Sequence, residues 1–188
     1  SIARFNRAIE LNPTFAQAHY NLGRALKRQG DHAGAITSYN TAIEIDPTYV
    51  EAQTEIGNTL QELGDLEAAI QSYLRVIETK PDDVATHSNL GAVLQTKGDL
   101  AGAIASYNRA IEINPDHAEA HSNLGAALQE NSNLTEAIAS YNRAIEIRPD
   151  YAEAYSNLGS ALQEKGDLPK AIESFKHALK TKPDFISA

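Results

Sequence analysis

The chain has 188 residues, 42% hydrophobic and 22% charged, a balance that suits a folded chain rather than a disordered one. No apolar run is long enough to cross a bilayer, and no charged-then-apolar start marks a secretory leader, so no membrane role and a cytoplasmic location are expected. Cysteine is absent, which removes disulfides, thiolate catalysis and cysteine-held zinc; the net charge of −9 argues against nucleic-acid binding, which depends on neutralising phosphates.

That charge is uneven. Residues 1–49 carry five Lys/Arg against four Asp/Glu, a balance of +1, while residues 50–188 carry eleven against twenty-one, a balance of −10. A more basic amino end suits an acidic ligand segment. Pro13, Pro47, Pro81, Pro115, Pro149 and Pro183 recur every 34 residues. A fixed period of that length predicts stacked helix–turn–helix units, each burying its apolar face on its neighbours, and a binding scaffold rather than a catalyst.

In chain order, residues 1–15 read as a second helix without its first, with Ile2, Phe5 and Ala8 in the apolar places. Units 16–49, 50–83, 84–117, 118–151 and 152–185 follow, and 186–188 begin another. Neither end has a polar capping helix, so a piece of a longer array is expected. The unpaired helix at 1–12 exposes Ile2, Phe5 and Ile9, which invites end-to-end self-association.

Residues 84–117 show the pattern. Asn89-Leu90-Gly91 and Leu94 keep helical spacing until Lys97-Gly98-Asp99, where Gly98 suits the left-handed stop and Asp99 the next cap. The second helix runs through Ala103, Ile104, Tyr107, Ala110 and Ile111 and must end before Pro115. Asp116 with Glu119 predicts a capping box, repeated by Thr48 with Glu51, Asp150 with Glu153 and Thr14 with Gln17; Asp82 has only half of one. At Asn131-Ser132-Asn133 the Gly-Asp pair is missing, and an asparagine is expected to hold the left-handed turn with some loosening. Pro169 falls in a first helical turn, where a missing N–H costs little.

With Leu22-Gly23, Leu90-Gly91, Leu124-Gly125, Leu158-Gly159 and the variant Ile56-Gly57, the chain resembles the tetratricopeptide repeat family throughout its length. Ala35, Ala69, Ala103, Ala137 and Ala171 follow the pattern, as do the aromatics Tyr39, Tyr73, Tyr107, Tyr141 and Phe175 and the later Ala42, Ala110, Ala144 and Ala178, with Val76 in place of one alanine. The resemblance implies an all-α, right-handed α-solenoid of antiparallel helix pairs whose first helices line a concave groove.

The residues bordering that groove would be Asn21, Arg24, Lys27, Arg28, Glu55, Asn58, Asn89, Gln95, Asn123, Gln129, Asn157 and Gln163. Asn21, Asn89, Asn123 and Asn157 form a row broken by Glu55; amides carry donors and an acceptor, so such a row suits an extended peptide backbone. The row resembles the asparagine ladder of the O-linked N-acetylglucosamine transferase superhelix; the other reading makes these residues structural. Gln61, Gln95, Gln129 and Gln163, aligned with Lys27, either flank the groove or are merely solvated. Arg24, Lys27 and Arg28 form the one dense basic cluster on a first helix, either an anion clamp or a solvated face. The two-carboxylate clamp of chaperone-binding relatives would need lysine where Thr54, Ser88, Ser122 and Ser156 stand, so chaperone tails are not expected.

His19, His87 and His121 recur at equivalent sites, with Gln53 and Tyr155 in the other units, and stand about a helix diameter apart, too far to share a metal; His117 and His121 lack a third ligand. No nucleophile elbow, phosphate loop or dinucleotide fingerprint occurs, so neither enzyme activity nor a cofactor is expected. The expectation is a protein-interaction scaffold that takes a peptide or protein segment in its groove. The rivals are the substrate-recruiting arm of a larger enzyme, such as a glycosyltransferase, and a self-assembling spacer.

Overall fold

The computed structural model describes residues 1–182. The expectations for Pro183, for the end of the last unit and for a further unit at 186–188 lie outside the described residues. Among the described residues there are eleven helices and no strand: α1 (Ile2–Leu11), α2 (Ala16–Lys27), α3 (His32–Ile45), α4 (Val50–Glu62), α5 (Leu66–Thr79), α6 (Val84–Lys97), α7 (Leu100–Ile113), α8 (Ala118–Glu130), α9 (Leu134–Ile147), α10 (Ala152–Lys165) and α11 (Leu168–Thr181). This is the all-α helical-repeat solenoid that the period predicts. The helices fall into two compact units, Ser1–Asn89 and Leu90 onward.

Within a pair, the connection is short enough to force the second helix back along the first. Gly98 takes φ +86°, donates its N–H to Gln95 at 2.9 Å, and is followed by Asp99 donating to Leu94 at 2.9 Å. This is the left-handed helix stop, and it satisfies carbonyls that would otherwise be orphaned. Asp99 then caps α7 by accepting from the Gly102 N–H at 2.9 Å, and Asp31, Asp65 and Asp167 cap α3, α5 and α11 the same way. Pro169 sits at the start of α11, as expected. At the odd turn the left-handed residue is Ser132, φ 60°, not an asparagine; Ser132 donates to Gln129 and Asn133 to Leu128, so the hydrogen-bond pattern survives the loss of glycine.

The starts of the first helices correct the sequence reading. Thr14, Thr48, Asp116 and Asp150 do not cap; the N-caps of α2, α4, α8 and α10 are Phe15, Tyr49, His117 and Tyr151, one residue later. Asn12, Asp46 and Asn114 each turn a side-chain oxygen onto the main-chain N–H two residues ahead, at 3.2, 3.0 and 3.2 Å. These local turns hold Thr14, Thr48 and Asp116 outside the helix. At α6 the capping carboxylate is that of Asp83, on the Thr86 N–H at 2.8 Å, rather than that of Asp82.

Each unit has its own core. In the first, Ala35, Tyr39, Ala42, Ala52 and Ile56 pack together; in the second, Tyr107, Leu124, Leu128, Tyr141, Leu158 and Leu162 anchor a larger cluster. The alanines let the helix axes approach, and the tyrosines fill what is left.

Candidate functional site

The tyrosines connect the core to the candidate face. A Cβ on Gly125 would stand 2.7 Å from the Tyr141 ring, and one on Gly23 2.5 Å from the Tyr39 ring, so only glycine lets the second-helix aromatic cross beneath the first helix. Tyr39, Tyr73, Tyr107 and Tyr141 are almost wholly buried, and the hydroxyls of the last three reach amides on the first helix of their pair. Burial, with Glu130 second, pushes the Tyr107 phenol up to about 12; burial likewise raises Tyr39, Tyr73 and Tyr141.

In the second unit these hydroxyls end on glutamines. Tyr107 donates to Gln95 Oε1 and Tyr141 to Gln129 Oε1, both at 3.2 Å. Each glutamine passes the chain on: Gln95 Nε2 donates to Glu130, and Gln129 Nε2 to Glu164 at 3.0 Å. Gln163 is exposed and has no such tie, because Phe175 stands where the tyrosine would be. Gln95 and Gln129 are therefore neither idle nor merely solvated. The signal in the sequence is a tyrosine twelve residues after the glutamine, present for Gln61, Gln95 and Gln129 and replaced by Phe175 after Gln163.

Asn123 and Asn157 on the same face are half-buried and make no hydrogen bond among the described residues. Asn157 lines a depression of about 530 Å³ with Gln129, Glu130, Ser160 and Glu164. Beside α8, Arg148 pairs with Glu119 and stacks 4.8 Å from the Tyr151 ring centroid. Partial burial works to raise the Glu119 carboxyl, but the Arg148 hydrogen bond and its own backbone N–H outweigh it and leave the group below the usual range.

The first unit has a different chemistry. Tyr73 follows the pattern, donating to Asn58 Oδ1 at 2.8 Å with Gln61 Oε1 3.2 Å away; Asn89 Nδ2 also donates to Asn58, at 3.3 Å. Beneath α2 the two acceptor positions are cations, Arg24 and Lys27 in place of Asn58 and Gln61. Lys27 Nζ reaches Glu55 at 3.3 Å and Glu62 at 3.0 Å, and Arg24 lies 5.7 Å from the Tyr20 ring centroid. Arg28 is exposed and has no partner among the described residues. The Tyr39 hydroxyl is buried without any hydrogen bond. Asn21 is half-buried on the same helix.

The histidines have structural duties. His19, His87 and His121 place Nε2 3.0, 2.8 and 3.0 Å from the carbonyls of Pro13, Pro81 and Pro115; a carbonyl only accepts, so each ring donates there and ties its helix to the preceding loop. His117 Nδ1 accepts from the Ala120 N–H as a cap. No group of three metal-ligating side chains occurs among the described residues. Ser88, Ser122 and Ser156, at the positions where a chaperone clamp would need lysine, are buried. No described helix is long and apolar enough to cross a membrane.

Helix pairs stacked around small residues and aromatics, with a polar first-helix face, define the class of repeat scaffolds that bind proteins. The TPR repeat pattern matches residues 1–30, 23–64, 57–98 and 96–132, and the tetratricopeptide repeat pattern matches 116–184. The chain belongs to the tetratricopeptide repeat family. No curated protein matches it significantly. Among solved structures it is similar to MamA, at 28% identity and TM-score 0.78 over 86% of this chain and 95% of that one. It is also similar to YrrB, described as a TPR protein with an unusual peptide-binding site, at 25% identity and TM-score 0.75 over 98% and 95%. MamA from Desulfovibrio magneticus RS-1, at 22% identity and TM-score 0.80 over 92% and 97%, shares the fold.

Proposed function

We propose that this chain binds peptide segments on the polar faces of its first helices. The observation that carries the reading is the pair Asn123 and Asn157, half-buried side-chain amides with no hydrogen bond among the described residues, on a face where Gln129 is tied to both Tyr141 and Glu164. A half-buried amide without a partner gains most from a ligand that supplies one. An extended backbone offers a donor and an acceptor at every residue, matching what an asparagine presents. In the first unit Asn21 would act in the same way, while Asn89, already donating to Asn58, would offer a ligand its carbonyl oxygen beside Glu55. The similarity to YrrB, whose description includes a peptide-binding site, supports the reading.

The test is selection from a displayed peptide library on the immobilised chain, followed by titration of selected peptides against Asn123→Ala/Asn157→Ala. Two lost hydrogen bonds of about 1 kcal/mol each predict a loss of about thirtyfold. Undiminished affinity for every selected peptide would remove the asparagines from the interface.

A further inference from the structure

Within Ser1–Asn89 three buried hydroxyls lack a hydrogen bond, those of Tyr39, Thr86 and Ser88, and that of Tyr39 belongs to a ring lining a cavity with three cations. Tyr73 finds Asn58 and Gln61; Tyr107 and Tyr141 find Gln95 and Gln129. Beneath α2 both corresponding positions are cations, and neither ammonium nor guanidinium has a lone pair to accept a proton. The Tyr39 hydroxyl consequently stays orphaned, at a cost that a native interior seldom leaves unexplained. The acceptor missing here is an oxygen that also neutralises positive charge.

The surroundings specify that oxygen further. Tyr39 lines a cavity of about 320 Å³ with Arg24, Lys27, Arg28, Glu55 and Glu62, three cations and two carboxylates, which leaves one positive charge in excess. One excess charge suits a monoanion better than a doubly charged phosphate, which Glu55 and Glu62 would repel. We propose that this cavity receives a single carboxylate of a bound peptide, Arg28 meeting it from solvent and Tyr39 donating from beneath. The proposal rests on the peptide-binding reading and specifies what the amino-terminal part of the ligand site selects.

Lys27 is the movable piece. The Tyr39 hydroxyl is closed off from solvent, and Lys27, 18% exposed, is held at 3.3 and 3.0 Å by Glu55 and Glu62, themselves 26% and 52% exposed. Glu62 is the more open of the two carboxylates and its pair the weaker, so the ammonium can exchange it for the incoming one and uncover the hydroxyl. Lys27 thus hands a carboxylate to Tyr39, where the other units have a glutamine that keeps the tyrosine to itself.

Three labelled peptides test the proposal on the intact chain: Ac-GEGEG-NH2, its neutral counterpart Ac-GQGQG-NH2, and Ac-GQGQG with a free carboxyl end. The Glu peptide is expected to bind at least about tenfold tighter than the neutral one, as a charge-assisted hydrogen bond predicts, with the preference falling as salt rises. The free-ended peptide shows whether a chain terminus serves as well as a side chain. Tyr39→Phe removes only an unpartnered hydroxyl, so it should fold as the parent and lose most of the preference. Lys27→Gln, which supplies the hydroxyl with an acceptor, should abolish the preference. Equal binding of charged and neutral peptides overturns the carboxylate site while leaving peptide binding intact. Failure of all three peptides overturns it too, and the library selection then decides peptide binding separately. A preference that survives Tyr39→Phe and Lys27→Gln overturns the assignment to this cavity.

Discussion

The two units build the same helix pairs, and Tyr73 of the first ends on amides as the second unit's tyrosines do, but Tyr39 does not. In the second, Tyr107 and Tyr141 end on Gln95 and Gln129, which continue to Glu130 and Glu164, so both tyrosine hydroxyls have an acceptor. In the first, Arg24, Lys27 and Arg28 crowd the same face, Lys27 turns to Glu55 and Glu62, and Tyr39 is left with nothing. The difference teaches that one repeat position can satisfy a buried hydroxyl in one place and leave it without an acceptor in another. Substituting an amide by a cation exchanges an acceptor for a donor, and the buried hydroxyl registers the exchange.

The largest expected effect tests what the units share. Gly125→Ala and Gly23→Ala each drive a methyl into a tyrosine ring, at 2.7 and 2.5 Å, and each should lower stability by about 1–3 kcal/mol in urea unfolding. A large loss at one site alone would mean that the two crossings are not built alike.

A smaller effect separates the units. Tyr141→Phe removes the donor to Gln129 and should cost about 1 kcal/mol, whereas Tyr39→Phe should cost nothing or add slightly, since no partner is lost. Matched urea midpoints for the two phenylalanine variants would erase the distinction between the two tyrosines.

The smallest concerns Glu119, whose folded carboxyl titrates below its unfolded value. Its contribution is present above an unfolded value of about 4.3 and is lost as pH falls through the lower folded value. Glu119→Gln should therefore be less stable than the parent at neutral pH, with the gap closing in acid. Because the side chain is 44% exposed, the gap should also shrink in strong salt. A gap unchanged by acid or salt would point to packing rather than charge.

Much of this was legible in the sequence. The spacing of the prolines, the Leu-Gly pairs and the aromatic positions settled the helices, because each is a local demand of backbone or of close approach repeated in register. The capping boxes at Thr14, Thr48 and Asp116 were misread because Asn12, Asp46 and Asn114 compete for the same N–H groups, and pattern matching does not rank rival hydrogen bonds. Ser132 in the left-handed turn was missed because composition favours asparagine, while the chain's register decides which residue arrives there.

The sequence by itself determined the helix pairs, the family and the polar rows, since all three follow from short-range periodicity and side-chain type. Only the tertiary structure decided which amides in those rows are occupied and which are free. Whether a glutamine is engaged depends on a tyrosine twelve residues away on another helix and on a glutamate thirty-five residues ahead. Those distances close only when the helices pack, and there the buried hydroxyl of Tyr39 is left without the acceptor that its counterparts have.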